Sequence, residues 1–280
     1  MKEYDRSKVF PEYESLYPDR ESAEDALRRL IDIVRILRHQ CPWDKEQTHQ
    51  SLRACLIEEA YETVEAINNG DYDNLEEELG DVLLQVVFHG QLAEEAEKST
   101  LVAIINRECD KMIRRHPHIF LKETAKSVDK ALEKWENVKR SEKKVHNTTS
   151  ILQSVPKALP ALIRSYKVQK KAADVGFDWD DVSGAFHKIK EETEELLEVQ
   201  DQGSKERKLE ELGDLLFSVV NVARFLGLDP EEALNFTTEK FIRRFSYVES
   251  QALKADRRLE DMSLSEMDAL WDEAKDLERD

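Results

Sequence analysis

The chain repeats one stretch of its own sequence. Residues 56–87, LIEEAYETVEAINNGDYDNLEEELGDVLLQVV, align without a gap with residues 189–220, IKEETEELLEVQDQGSKERKLEELGDLLFSVV. Aligned positions are 133 residues apart, as Glu59 and Glu192 are. A repeat of this length indicates two copies of one folding unit, because the same apolar positions recur in the same order.

Weaker matches extend the repeat on both sides. KMIRRHPHIF (111–120) resembles KFIRRFSYVE (240–249), EKWENVK (133–139) resembles ALWDEAK (269–275), and CPWD (41–44) resembles GFDWD (176–180) more weakly. A polar and then proline-containing segment separates the copies, which is typical of a linker. We predict an N-terminal extension at 1–20, domain 1 at 21–140, a linker at 141–160 and domain 2 at 161–280.

Composition predicts that both copies are helical. Charged residues make up 36% of the chain and hydrophobic residues 40%, with only 8 Gly and 7 Pro. Long amphipathic helices have this composition, whereas turn-rich sheet proteins need more glycine and proline. The sequence therefore predicts an all-α fold with two tandem helical domains.

Charge and cysteine content exclude several classes of protein. The formal net charge of −18 argues against a partner that is a nucleic-acid polymer, because such proteins need a basic surface. Three cysteines without regular spacing suggest a reducing compartment. Nowhere do 18 apolar residues run together, and the N-terminus lacks the apolar core of a signal peptide. We expect a cytoplasmic protein that does not enter a membrane.

Acidic residues border the apolar stripe of each repeated helix. At 100° per residue, Leu56, Ala60, Val64 and Ile67 share one face, with Glu59 at its edge. On the second helix of the repeat, taking copy two as the example, we predict that four apolar residues point inward: Leu212, Leu215, Leu216 and Val219. Packing these faces together would bring four carboxylates to the rim of one groove. They are Glu59, Glu62, Glu78 and Asp81 in copy one, and Glu192, Glu195, Glu211 and Asp214 in copy two.

The pattern of these carboxylates favours a metal site over an ordinary solvent-exposed helix face. A single acidic pair in so acidic a chain would most simply be solvent-exposed surface. Here EExxE on one helix and ExxD on the next occur twice in equal register, and like charges so close together are mildly destabilising without a counter-ion. Oxygen ligands suit Mg²⁺ or Mn²⁺, which bind phosphate oxygens in turn. We therefore predict a divalent-metal site that binds a phosphorylated substrate.

The same residues resemble the MazG family of nucleoside triphosphate pyrophosphohydrolases. The resemblance rests on EExxE, a 15-residue spacer, ExxD, KFIRRF, a late tryptophan and CPWDKEQTHQSL in the first copy. It implies an all-α fold in which each domain completes a four-helix-bundle core by dimerisation, with Mg²⁺ as the cofactor and Mn²⁺ as a possible substitute. It also implies hydrolysis of an NTP or dNTP between the α and β phosphates, giving the monophosphate and diphosphate.

The resemblance also implies roles for individual residues. Glu192, Glu195, Glu211 and Asp214 would hold the metal, and Glu191, Glu192 or Glu195 would act on the attacking water. The implied nucleotide contacts are Lys188, Arg207 or its neighbour Lys208, Lys240, Arg244 and Trp271. Without the repeat, Lys240 and Arg244 could equally be an ordinary basic helix face, and Trp271 a structural residue of a helix pair.

The repeat provides an internal comparison of the two copies. The counterpart of Lys188 is Cys55 and that of Arg207 is Asn74, so copy one keeps the carboxylates but lacks two cations. Charge-assisted contacts to phosphate are strong, which favours copy two as the working site. Copy one retains Lys111, Arg115 and Trp135, so three roles stay open for it: weak binding, a different nucleotide, or dimerisation alone.

Two other functions fit parts of the pattern. A non-catalytic acidic helical scaffold would explain the duplicated amphipathic faces but not the cations of copy two. A pyrophosphohydrolase specific for dUTP or phosphoribosyl-ATP would share the fold, but the duplication and KFIRRF favour the MazG interpretation. The sequence does not fix the preferred base or sugar, the physiological role, the activity of domain 1, or the carboxylate that acts on water.

Overall fold

The computed structural model describes residues 9–278, without 122–126, 129, 133, 136–137 and 139–147. Parts of the predicted layout lie outside the described residues, namely the start of the extension, the end of domain 1, the first residues of the linker and the last two of domain 2. All regular structure in the described part is helical, with no strand. The predicted all-α fold is confirmed.

The chain divides into two compact units, Met1–Lys143 and Lys144–Asp280. The helices of the first unit are α1 (Ala23–Gln40), α2 (Pro42–Glu46), α3 (Arg53–Asn69), α4 (Tyr72–Glu95), α5 (Leu101–Arg115) and α6 (Pro117–Phe120). Those of the second unit are α7 (Thr148–Gln153), α8 (Ala161–Ala173), α9 (Val182–Val199), α10 (Lys205–Leu226), α11 (Pro230–Lys254) and α12 (Leu264–Leu277). The helix α7 lies inside the predicted linker and packs on α8.

The same helical hairpin forms the centre of each unit. In unit 1, α3 packs against α4, and in unit 2, α9 packs against α10. The turn of the first hairpin is fixed by Gly70, which ends α3 at φ +66°, and by Asp71, whose side chain accepts from the Asn74 amide at 3.1 Å. Glycine adopts such a left-handed conformation without the strain that a Cβ would cause.

A third helix packs on the second helix of each hairpin. In unit 1, α1 and α5 both contact α4, and the core between them contains Val34, Leu52, Val87 and Phe88. Burial of such side chains contributes about 1.5–3 kcal/mol each. In unit 2, α8 takes the corresponding place against α10, and α11 contacts both α8 and α12.

The hairpin helices keep much of their apolar stripe exposed within the chain. The prediction that Leu212, Leu216 and Val219 point inward is wrong for the isolated chain, because these side chains are 45%, 49% and 47% exposed. The described helices of unit 2 are too few to cover both sides of α10. None of the described helices combines the length and the apolar composition that a membrane-spanning helix needs.

Candidate active site

Three predicted metal ligands of copy two meet at the α9–α10 hairpin. Oxygen atoms of Glu192 and Glu195, on α9, and of Glu211, on α10, all lie within 4.8 Å of one another. Glu192 and Glu211 are buried, at 4% and 6% exposure, whereas Glu195 is exposed. Two buried carboxylates on facing helices are costly unless they find cations.

Two of the predicted phosphate-binding cations pair with these buried carboxylates. Lys188 Nζ contacts Glu192 and also donates to Glu191 at 3.0 Å. Arg207 Nη2 donates to Glu211 at 2.9 Å. Each buried glutamate therefore has a cation four residues earlier on its own helix, a spacing that brings side chains together. The bond to Glu192, with that to Glu191, raises the pKa of Lys188 above its ordinary value.

Glu195 shows the cost of placing carboxylates together. Its pKa is raised, first by desolvation and then by the charges of Glu192, Glu211 and Glu191. Each of these effects disfavours the ionised form. A divalent cation at this position would reverse the effect, because its charge favours ionised ligands.

The fourth predicted ligand lies outside this cluster. Asp214 is exposed on α10, one turn after Glu211, and does not share the 4.8 Å grouping. In copy one the outlier differs: Glu59, Glu78 and Asp81 are grouped, and Glu62 is not. Each copy thus groups three of its four predicted ligands, and the one left out is at a different position in the two copies.

Copy one groups its carboxylates without the two cations. The pKa of Glu59 is raised by desolvation and then by Asp81 and Glu62, and the pKa of Glu78 is raised by desolvation and then by Glu62 and Asp81. The helix positions that carry Lys188 and Arg207 in copy two carry Cys55 and Asn74 here. The carboxylates of copy one are therefore grouped without counterparts of these two cations.

Lys240, Arg244 and Trp271 form a second group on α11 and α12. The Arg244 guanidinium lies 5.8 Å from the Trp271 ring centroid and donates to Glu278 at 2.8 Å. Lys240 lies 5.8 Å from the Phe236 ring centroid. Among the described residues, the bonds, ion pairs and ring contacts of the three stay on or just beyond α11 and α12. The structure does not join this group to the acidic cluster.

The corresponding cation and aromatic ring are also in contact in copy one. Arg115 lies 5.6 Å from the Trp135 ring centroid, as Arg244 does with Trp271. The two copies thus share this contact, although their sequences align in these segments only when small insertions are allowed. The contact therefore forms in a copy without the two hairpin cations.

The structure adds details that the sequence did not reveal. Of the neighbours Arg207 and Lys208, Arg207 is the one that reaches the cluster. Glu278 holds Arg244, and this hydrogen bond is the main reason why the pKa of Glu278 is lowered. No sequence signal identified Glu278, since it follows the last residue of α12 and has no counterpart in the aligned copies.

Comparisons with known proteins agree with this arrangement. Residues 47–120 and 183–248, which together span half of the chain, match the MazG nucleotide pyrophosphohydrolase domain. The chain is 44% identical over 248 residues to the nucleoside triphosphate pyrophosphohydrolase/pyrophosphatase MazG of Thermotoga maritima, covering 88% of this chain and 94% of that protein.

Two further relatives are similar over most of the chain. The nucleoside triphosphate pyrophosphohydrolase of Escherichia coli K12 is 40% identical over 257 residues, which are 90% of this chain and 98% of that protein. The uncharacterized protein YabN of Bacillus subtilis is 50% identical over 250 residues, which are 88% of this chain and 51% of that protein. With two matched segments at equivalent hairpins and these identities, the chain belongs to the MazG family.

Proposed function

We propose that the protein is a nucleoside triphosphate pyrophosphohydrolase that converts an NTP or dNTP and water to the monophosphate and diphosphate. The observation that carries the proposal is the grouping of Glu192, Glu195 and Glu211 beside Lys188 and Arg207. Relatives that align over nearly their whole length are named for this activity. Carboxylates with adjacent cations suit a metal-bound polyphosphate.

The residues of the cluster fit a divalent metal. Three carboxylate oxygens within 4.8 Å of one another form a donor set of hard oxygen ligands. Glu192, Glu195 and Glu211 would hold Mg²⁺, with Mn²⁺ as the alternative, and a rotation of its side chain would let Asp214 join them. When bound, the metal supplies Lewis acidity to a phosphoryl oxygen and lowers the pKa of a coordinated water.

The chain's own residues would position the substrate and manage the proton. Lys188 and Arg207 neutralise buried carboxylates here, and they can exchange these partners for phosphate oxygens when a metal takes over the carboxylates. Glu191 bonds to Lys188 at the edge of the cluster and is 55% exposed, so it can accept a proton from an attacking water. Lys240, Arg244 and Trp271 would contact the nucleotide from α11 and α12.

The exposed apolar stripes support a homodimer. Leu212, Leu216 and Val219 follow one another on one face of α10, and their counterparts Leu79, Leu83 and Val86 on α4 are 52%, 43% and 42% exposed. Monomeric proteins rarely leave such contiguous apolar surface uncovered. A second copy of the chain would complete a four-helix core at each hairpin. A reducing compartment such as the cytoplasm agrees with the three free cysteines.

Copy two is proposed as the main catalytic unit. Its two buried carboxylates are paired with cations of the kind that a triphosphate requires. The grouped carboxylates of copy one are only partly buried and have no such ion pair among the described residues. Copy one would then contribute mainly to assembly. Its grouped carboxylates and the pair Arg115 and Trp135 are consistent with weak nucleotide binding as well.

The proposal is tested by identifying the products. Purified protein is incubated with each NTP and dNTP in Mg²⁺, in Mn²⁺ and in EDTA, and the phosphate products are separated. We expect monophosphate and diphosphate in either metal and no turnover in EDTA. Formation of a nucleoside diphosphate and orthophosphate would reject the reaction, and full activity in EDTA would reject the metal.

A further inference from the structure

A cavity lies in unit 2 away from the acidic cluster. Its volume is about 460 Å³, and it is bounded by α8, α10 and the segment from Gly176 to Trp179. The cavity residue Asn221 is ten residues after Glu211 on α10, or about 15 Å along the helix axis. Ligand sites have volumes of about 300–1,000 Å³, so the space is sufficient for a small organic molecule.

Aromatic rings form much of the cavity wall. Phe177, Trp179 and Phe217 all line it, and they are 82%, 43% and 42% exposed. Trp179 lies directly against the start of α9, where a Cβ at Gly184 would overlap its ring. The glycine at this position therefore allows the indole to approach the helix closely. Exposed rings around a cavity provide stacking surfaces for a flat ligand.

Two buried amide side chains face the same cavity. Gln169 is 6% exposed, and its Nε2 donates to the Phe217 carbonyl at 2.8 Å. Its Oε1 is buried and has no hydrogen-bond partner among the described residues. Asn221 is 8% exposed and accepts through Oδ1 from Arg224 at 2.9 Å, while its Nδ2 donates to no described residue. The pair thus presents one unused acceptor and one unused donor.

The repeat shows that a buried amide pair is not needed for the fold. The counterpart of Asn221 is Phe88, which is 5% exposed and packs with Val34 and Leu52 in the core of unit 1. Val34 is the buried residue of α1, whereas Gln169 is the buried residue of α8. An unpaired buried amide oxygen costs free energy that an apolar side chain would not. Copy one has the same cost at Gln85 Oε1, but in copy two the unpaired oxygen belongs to a residue that lines the cavity, where a ligand is the simplest compensation.

We propose that this cavity binds a nucleobase. The edge of a nucleobase presents a hydrogen-bond donor beside an acceptor, which matches the free Oε1 of Gln169 and the free Nδ2 of Asn221. Its flat ring matches the aromatic walls, where stacking is independent of the base. Arg224, held by Asp178 at 2.9 Å and by Asn221, closes the cavity with a fixed cation.

The base could belong to the substrate or to a second nucleotide. Only the first of these sources rests on the proposed function, because it requires a triphosphate on the acidic cluster. The distance of about 15 Å along α10 is comparable with the length of an extended nucleotide, and it also leaves room for a separate one. The cavity would recognise the base in both cases, and the experiment below distinguishes the substrate from a second nucleotide.

The test uses nucleosides, which carry no phosphate. Adenosine, cytidine, guanosine and uridine are titrated into the full chain in EDTA by calorimetry. We expect saturable binding of at least one, with one site per chain. Phe177→Ala should weaken it about tenfold or more, because the variant removes an exposed stacking ring without opening the core. Gln169→Leu should weaken it similarly, and Tyr72→Ala, which truncates an 80% exposed ring of unit 1, should not change it.

Several outcomes would overturn the assignment. One is that no nucleoside binds up to its solubility limit. Another is that binding survives both Phe177→Ala and Gln169→Leu but is lost in Trp271→Leu, which would place the base on α12 instead. Either result leaves the hydrolysis assay unaffected, so the failure of this inference is distinguishable from the failure of the proposed function.

Competition between a triphosphate analogue and the nucleoside shows whether the base belongs to the substrate or to a second nucleotide. A non-hydrolysable triphosphate analogue with Mg²⁺ displaces the nucleoside if the cavity holds the substrate's base, and Phe177→Ala then raises KM. If the cavity holds a second nucleotide, analogue and nucleoside bind together and KM is unchanged in the variant. Both results support base recognition by the cavity, and each assigns a different ligand to it.

Discussion

Lys188 and Arg207 have one role in the free protein and are proposed to have another with substrate. In the free protein each neutralises a glutamate that is nearly inaccessible to water. Copy one lacks both cations, and there the pKa values of Glu59 and Glu78 are raised. The cations of copy two therefore offset the cost of burying Glu192 and Glu211.

The variant Lys188→Met tests this first role. It keeps the length of the side chain and leaves Glu192, at 4% exposure, without its cation. We expect the free energy of unfolding in EDTA to fall by about 1–2 kcal/mol, since Lys188 is itself partly exposed. Mg²⁺ or Mn²⁺ should restore more stability to the variant than to the natural chain. Denaturant unfolding with and without metal measures both effects, and an equal loss under both conditions would contradict the account.

Helix geometry predicted where the acidic residues lie on the helices better than it predicted where their side chains point. The 100° rule put Glu192, Glu195 and Glu211 at one groove, and in the structure their carboxylate oxygens lie within 4.8 Å of one another, because these positions depend on the backbone. Their role as metal ligands stays a prediction. The rule could not foresee that the carboxylate of Asp214 lies outside the group, since χ angles depend on neighbouring charges.

At the scale of elements, α12 is fixed at its start by a capping box. The Ser263 side chain accepts from the Glu266 amide at 3.3 Å, and the Glu266 carboxylate accepts from the Ser263 amide at 2.8 Å. Arg257 also donates to Glu266 at 2.6 Å. These bonds, that of Arg257 first, lower the pKa of Glu266 from 4.5 to about 2. The cap matters for the site because α12 carries Trp271.

The pH dependence of this cap has a definite sign. Because the folded state lowers the pKa of Glu266, its ionised form stabilises the fold above about pH 4.5, and this contribution is lost as the pH falls towards about 2. Glu266→Gln should therefore be less stable than the natural chain at neutral pH, with a difference that shrinks between about pH 5 and about pH 3. Urea unfolding followed by circular dichroism measures it. A difference that stays constant over this range would contradict the assignment.

The sequence predicted the hairpins but not what fills the space beside them. The repeat aligned α3 with α9 and α4 with α10, because amphipathic periodicity survives in both copies. The buried amides Gln169 and Asn221 gave no signal, since polar residues on a helix are expected to face solvent. The short helix Thr148–Gln153 was also missed, because a polar segment followed by prolines is typical of a linker.

At the scale of the whole molecule, the equivalent exposed stripes predict a dimer. We expect light scattering at micromolar concentration to give twice the chain mass of 32.6 kDa. A charge at the centre of a buried stripe is costly, so Leu216→Glu or Leu83→Glu should shift the protein towards the monomer. Comparing the two variants shows which hairpin forms the contact. A natural chain that scatters as a monomer would contradict the dimer.

The division of work between the two copies is the central claim. Glu192→Gln and Glu59→Gln remove the same charge at equivalent positions of α9 and α3 and keep the side-chain volume. Among the residues that the structure describes, only copy two pairs cations with its grouped carboxylates, so turnover should depend on Glu192 far more than on Glu59.

The most direct test is the rate of diphosphate release from an NTP in Mg²⁺ by these two variants. We expect Glu192→Gln to lose about a hundredfold or more of the rate, since a lost metal ligand costs a few kcal/mol of transition-state stabilisation. Glu59→Gln should keep most of it. A large loss in Glu59→Gln together with an active Glu192→Gln would contradict the account and place the working site in copy one.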